Sequence, residues 1–267
     1  MITLGVNTVL FGKHDFRTAM AHIKRAGYDA AEISALGSMA NHLPLDDWRN
    51  HAAEIKAIAA DLALPLSAVE VATTAEDRLM LAYEACAAIG IPVVNVGPGG
   101  TKPDCPEDLV RLAAHLERMA AKAAEFGVTL CMKAHVNTGV FNTPTTLEIM
   151  RRVSAPAFGI DMDPSHIHRS GEVPKEALKA VVSRVRHVHI RDCVGLGPRP
   201  GTPEEQACGR GDIDLAGYCR VLVEAGYDGP VNLEVIGALD YDLTAQAMIA
   251  AESYGFLNAC LKACGGR

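Results

Sequence analysis

Eight times along the chain a short apolar or β-branched run gives way to a longer, Ala-rich amphipathic stretch. The short runs are 2–10, 28–34, 65–71, 91–96, 128–134, 157–162, 186–191 and 230–235. The amphipathic stretches lie near 15–26, 46–62, 75–89, 106–126, 144–153, 174–184, 214–225 and 242–263. Strands joined through helices pair in parallel, because the helix carries the chain back to the starting end of the sheet. Gly27, Gly90, Gly127 and Gly226 each close a helical stretch before a strand begins. Pro106 with Glu107 and Asp108, and Pro174 with Glu176, read as first helical turns. No Ser/Gly linker or charge block divides the chain, so residues 1–267 are expected to form one α/β domain, a (β/α)8 TIM barrel. An open doubly wound sheet would want a GxGxxG turn after its first strand, and VLFGKH has none.

The balance of 25 Lys and Arg against 32 Asp and Glu, a formal charge of -7, argues against a nucleic-acid partner, which needs a basic face. No apolar run approaches the ~20 residues of a membrane-spanning helix. The N-terminus MITLGVNTVLFGKHDF lacks a basic region and a cleavage site, and the eight scattered Cys form no CxxC pair. The expectation is a cytoplasmic protein with reduced thiols.

In such a barrel the chemistry sits where strands end. The fifth run, VTLCMKAHVN, ends in Lys133 and His135. The sixth, FGIDMDPSH, ends in Asp163, with His166 three residues on. The seventh, RHVHIRD, places His187, His189 and Arg191 on one face by alternation. The eighth, VNLEVIG, carries Glu234 inside an apolar run, where an acid without a partner is costly. Taken singly, Asp163 before Pro164 could start a turn and Lys133 could reach solvent. Four adjacent strands presenting ionisable groups at one height point instead to a site. Carboxylates and imidazole together suit a divalent ion, Mn, Co, Zn or Mg. Asn7, Glu32 and Glu70 on the first three strands could face the same pocket, but the sequence leaves their register open.

The segments FGIDMDPSH, HVHIRD, GRGDIDL (209–215) and GYDGPVNLEV (226–235) resemble the xylose isomerase-like barrel family of sugar isomerases, ketose 3-epimerases, inosose dehydratases and endonuclease-IV-type enzymes. The resemblance implies a divalent metal held by Asp163, His189 and Glu234, with Glu234 also acting as a catalytic base. It implies sugar contacts from His166, a catalytic and substrate-binding residue, and from His135. Arg191, Glu70 and Asn7 are further candidates for substrate binding. Small carbohydrates are the implied partners, and homo-oligomers are common in the family.

One family position departs. Lys133 stands where the family has its first metal-binding Glu. A divalent ion ~4 Å from an ammonium, at an effective dielectric of ~20, meets a repulsion on the order of 8 kcal/mol. Three arrangements follow. Metal binds and Lys133 is a neutral base or points aside; or Lys133, as an ammonium between Asp163 and Glu234, polarises a carbonyl without metal; or Lys133 forms a Schiff base. All three suit an enediolate beside a carbonyl.

The expected function is therefore a sugar isomerase or epimerase acting on a small keto or aldo sugar or sugar acid, with Lys133 as a catalytic residue. The alternatives are a lyase, dehydratase or decarboxylase, on a keto sugar or its acid, and a sugar-binding barrel without catalysis. A repair endonuclease would need more metal ligands and a basic groove. The Gly/Pro-rich stretch 195–212, with Arg199 and Arg210, could hold an anionic substrate end or close as a lid, but reads first as a solvated loop.

Overall fold

A computed structural model describes residues 1–267. Eight parallel strands close into a barrel in the order of the sequence: β1 Thr3–Asn7, β2 Ala30–Ala35, β3 Leu66–Val71, β4 Val93–Val96, β5 Thr129–Lys133, β6 Phe158–Met162, β7 Val185–Ile190 and β8 Pro230–Leu233. The surrounding helices are α1 Phe16–Ala26, α2 Trp48–Asp61, α3 Glu76–Ile89, α4 Pro106–Glu125, α5 Thr143–Arg152, α6 Pro164–Arg169, α7 Pro174–Val181, α8 Leu215–Glu224 and α9 Leu243–Ala263. Pairing of β1 with β8 removes both sheet edges.

Two departures from the expected elements bear on the site. The first strand stops at Asn7 rather than continuing to residue 10, because the Asn7 side chain accepts the Val9 N–H and caps a short 3-10 helix, Thr8–Phe11. Helix α6 follows β6 directly and has no counterpart among the expected stretches. Asp163 caps it by accepting from Ser165 N at 2.8 Å, and Pro164 supplies the first turn. Six residues are too few to show a helical period in the sequence.

Both faces of the strands are largely buried, as a parallel barrel requires, with Arg186 at the start of β7 the exposed exception. The outward residues, such as Ile33, Val69, Val188 and Ile190, join the apolar layer beneath the helices. The barrel interior is unusually polar. Asn7, Glu32, Asn95, Asp161, His187, His189 and Asn232 are all buried there. Buried polar groups are tolerated only when paired, so this interior is held by specific hydrogen bonds as well as by packing. Gly5 on β1 exists to make room for it: a Cβ there would collide with Asn232 Oδ1. No helix is long and apolar enough to cross a membrane.

Candidate active site

The lower part of the site is a fully buried ladder of acids and imidazoles. His189 Nε2 lies 2.6 Å from Glu32, and His189 Nδ1 lies 2.6 Å from Asp161. His187 Nδ1 also reaches Asp161, at 2.9 Å, and its Nε2 meets Asn232 at 2.7 Å. Burial opposes a charge on His189, but Asp161 and Glu32 outweigh it and push its pKa well up, so the ring is an imidazolium. Asn7 ties this ladder to the level above, donating to Glu70 at 2.7 Å and to Glu32 at 3.2 Å, while Asn95 donates to Glu32 at 2.7 Å.

Lys133 stands on this floor at the end of β5. Its Nζ lies 3.0 Å from Glu70, 3.1 Å from both oxygens of Glu234 and 3.3 Å from His189 Nδ1. Burial disfavours its ammonium, but Glu234 and Glu70 outweigh that and raise its pKa above the ordinary lysine value. The arrangements that need a neutral lysine, as base or Schiff-base former, lose their premise. The ammonium is also placed differently from expectation. It sits between Glu70 and Glu234, not between Asp163 and Glu234, because Asp163 is already taken.

Asp163 accepts from Arg191 Nη2 at 2.8 Å and from the Ser165 hydroxyl at 2.7 Å. Against the penalty of burial, Arg191 holds its carboxyl well below the usual carboxylate range. Arg191 also lies 3.3 Å from Glu234. Glu234 therefore faces two cations. Burial opposes its ionisation, yet Arg191 and Lys133 lower it to about 2. Such a carboxylate is a weak base, which counts against the expected role of Glu234 in proton abstraction. Glu70 behaves in the opposite way. Burial and the neighbouring Glu234 charge raise it to about 7 against the pull of Lys133. A carboxylate near 7 is matched to proton transfer at neutral pH.

His166 and His135 stack with ring centroids 4.0 Å apart beside this group. Burial keeps both pKa values below the ordinary histidine value, so both rings are neutral. His135 Nδ1 donates to Val136 O at 2.8 Å. Above them opens a cavity of roughly 360 Å³ whose walls include Glu70, Lys133, His135, His166, Arg191 and Glu234. Asn7 lies below it, behind Glu70.

The donor set for a metal is not the expected one. Two groups bring possible ligand atoms within 4.8 Å of one another, Glu70–His189–Glu234 and Glu32–His187–His189, and Asp163 belongs to neither. The first group encloses the Lys133 ammonium, which fills the space an ion would take. A histidine ligand must also offer a lone pair, whereas both nitrogens of His189 lie against carboxylates. In the second group Glu32 and His189 are joined directly. With Lys133 in place, these residues do not fit a divalent ion.

Sequence reasoning missed Asp161 and Arg169. Asp161 was legible: it is an acid inside an apolar strand, two residues before Asp163 and so on the same face. Arg169 was not, because the helix that carries it was not. The other weakly placed residues, Glu32 and Glu70, were in the right strands and lacked only a register. Of the two arginines in the 195–212 loop, Arg199 lines the cavity and Arg210 pairs with Glu252 on the surface. The GRGD turn is structural. Asp192 accepts the backbone N–H of Cys193, Gly209 and Ile213, and a Cβ on Gly211 would strike its carboxylate.

Residues 20–260 match the family described as xylose isomerase-like TIM barrel. The chain belongs to that family. Among solved structures, this barrel is similar to D-psicose 3-epimerase from Clostridium cellulolyticum H10, with a TM-score of 0.80, 15% identity, and 97% of this chain and 99% of that one covered. It is also similar to D-allulose 3-epimerase from a Methylomonas species, with a TM-score of 0.77, 19% identity and coverage of 97% and 98%. At these identities the likeness is one of fold. Among curated proteins, an inosose dehydratase from Lacticaseibacillus casei is 26% identical over 141 residues, 46% of each chain. The match thus spans about half the length of that relative.

Proposed function

We propose that this family member is an enzyme acting on a small keto or aldo sugar or sugar acid through an enediolate, as an isomerase or epimerase. One observation carries the reading: the Lys133 ammonium is held 3.0 Å from Glu70 and 3.1 Å from Glu234 at the floor of a strand-end cavity. An ammonium in a water-poor pocket stabilises negative charge developing on a carbonyl oxygen. Glu70 is within reach of the same point and is raised to about 7. In this scheme the substrate carbonyl oxygen takes up a position against Lys133 and Arg191. Glu70 removes the proton from the adjacent carbon, and the electron pair moves onto the oxygen. Protonation of that carbon from the other face by solvent gives an epimer; delivery of a proton by Glu70, after exchange with solvent, to the carbonyl carbon, with the hydroxyl proton relocated, gives the isomer. Glu234 orients Lys133 and keeps it charged.

The match to an inosose dehydratase supports a second reading from the same intermediate. If the enediolate expels a hydroxyl from the next carbon, with a proton delivered to the leaving oxygen, the outcome is dehydration. The first half is common to both.

The test is proton exchange. Ketoses, aldoses and keto acids incubated with the protein in deuterium oxide should gain deuterium next to the carbonyl, seen by NMR. Glu70→Gln should reduce the exchange by ~10²–10⁴, the usual weight of a general base. Exchange that persists unchanged in both Glu70→Gln and Lys133→Met would sink the scheme. A new unsaturated product would select the lyase branch.

A further inference from the structure

Arg169 has no carboxylate partner. Its Nη1 donates to Pro198 O at 3.0 Å, its Nε to Ser165 O at 3.1 Å, and its Nη2 faces His166 Nδ1 at 2.9 Å. His166 cannot serve every donor aimed at it. Arg191 Nη2 faces its other nitrogen at 3.1 Å, and Val136 N–H also points at Nδ1, at 3.3 Å. A neutral imidazole offers one lone pair and an imidazolium none. At least one of the two guanidiniums therefore lacks an acceptor here. Arg191 already has two carboxylates, Asp163 and Glu234, whereas Arg169 has only two backbone carbonyls and at most the one imidazole lone pair.

The cavity is also rich in cations: Lys133, Arg169, Arg191 and Arg199 line it against Glu70 and Glu234, and with Asp163, the partner of Arg191 just behind the wall, one positive charge is left over. This excess of positive charge sits on a chain whose formal charge is -7. Arg199 is exposed, makes no ion pair within the chain and is flanked by Pro198 and Pro200, which line the cavity with it. The Arg169 bond to Pro198 O ties Arg169 to the loop that carries Arg199, and both residues line the cavity.

We propose that Arg169 and Arg199 form a recognition site for an anionic group, a carboxylate or phosphate, on the substrate. The proposal rests on the reading of the cavity as a sugar site and narrows it: the substrate is a sugar acid or sugar phosphate rather than a neutral sugar. Two guanidiniums with free N–H groups match a planar carboxylate or a phosphate face, and such charge-assisted bonds are roughly twice as strong as neutral ones. The anion also supplies the charged partner that Arg169 does not have within the chain.

The experiment compares D-fructose, 2-keto-D-gluconate and D-fructose 6-phosphate by isothermal titration calorimetry on the full chain. At least one anionic ligand should bind ~10-fold or more tighter than D-fructose, a preference that weakens with added salt. Whichever anion wins separates carboxylate from phosphate. Arg199→Gln and Arg169→Gln should each bring the affinity ratio toward one. Arg199 has no internal bond to lose, so that variant keeps the test open if Arg169→Gln does not fold. Arg210→Gln, outside the cavity, should leave the ratio unaltered. Equal binding of all three ligands, no binding of any at millimolar concentration, or a ratio that survives the Arg199 variant would overturn the proposal. Binding is read independently of turnover. Anion preference without proton exchange would leave this site standing while removing the enediolate scheme, and exchange without preference would do the reverse.

Discussion

Lys133 and Glu70 meet at 3.0 Å across the barrel, one from the end of β5 and the other from β3, and their contact is buried from solvent. Each sets the other's chemistry. The carboxylate helps keep the amine charged, and the amine limits how far burial can raise the carboxylate.

Removing the lysine should expose this mutual dependence as a pH-sensitive loss of stability. Lys133→Met leaves Glu70 and Glu234 buried without the cation between them, a loss of ~3–5 kcal/mol for a broken buried pair. The deficit should be largest near pH 8 and shrink toward pH 5, as the abandoned carboxyls take up protons. Urea unfolding at the two pH values measures it. A deficit independent of pH would mean that Lys133 contributes through packing alone.

Glu70 predicts its own pH window in the native protein. Its folded value of about 7 lies above the ordinary 4.5. The protonated form is thus favoured by folding, and the stability it contributes is complete below about 4.5 and is lost as the pH rises through about 7. Activity runs the other way, because the base form is the ionised one. Proton exchange should climb through a midpoint near 7, and this limb should vanish in Glu70→Gln. A profile that stays flat over about one pH unit either side of that midpoint would remove Glu70 from the role.

Replacing the ammonium by a carboxylate should turn the same pocket into a cation site. Lys133→Glu would leave Glu70, Glu234 and the introduced acid crowded together, a set suited to Mn or Mg. That variant should be less stable than the parent without metal and should gain several degrees in melting temperature with millimolar Mn, where the parent gains little. An equal gain in both proteins would show that Lys133 does not keep metal out.

The polar interior also depends on Gly5. Gly5→Ala should push Asn232 away from its bond to His187, at a cost of ~1–3 kcal/mol, read as a lowered urea midpoint. A midpoint within error of the parent would show that Asn232 has room to move.

The sequence announced the barrel because a βα repeat is a local pattern, and the strand-end polar residues because they break that pattern. It placed Lys133, Asp163, His166, His189 and Glu234 in strand-end positions but could not say which touched which. Pairing depends on strand register: Lys133 is level with Asp161 on the neighbouring strand, and Asn7 with Glu32. Glu70 shows the limit. The reasoning that singled out Glu234, an acid in an apolar strand, applied equally to LSAVEV, yet only the closed barrel brings Glu70 opposite Lys133. Arg169 lay on a helix of six residues, too short for any periodicity to reveal.

A positive charge carried on a side chain is installed when the chain is made, one per molecule, and its occupancy does not vary with the supply of any ion. It cannot be stripped by a chelator or exchanged for a competing metal. It is also confined to a tether of four methylenes and cannot change its coordination number to follow a reaction. Adapting this barrel to a different substrate therefore falls to the residues around the mouth, while the charge at the bottom stays where translation put it.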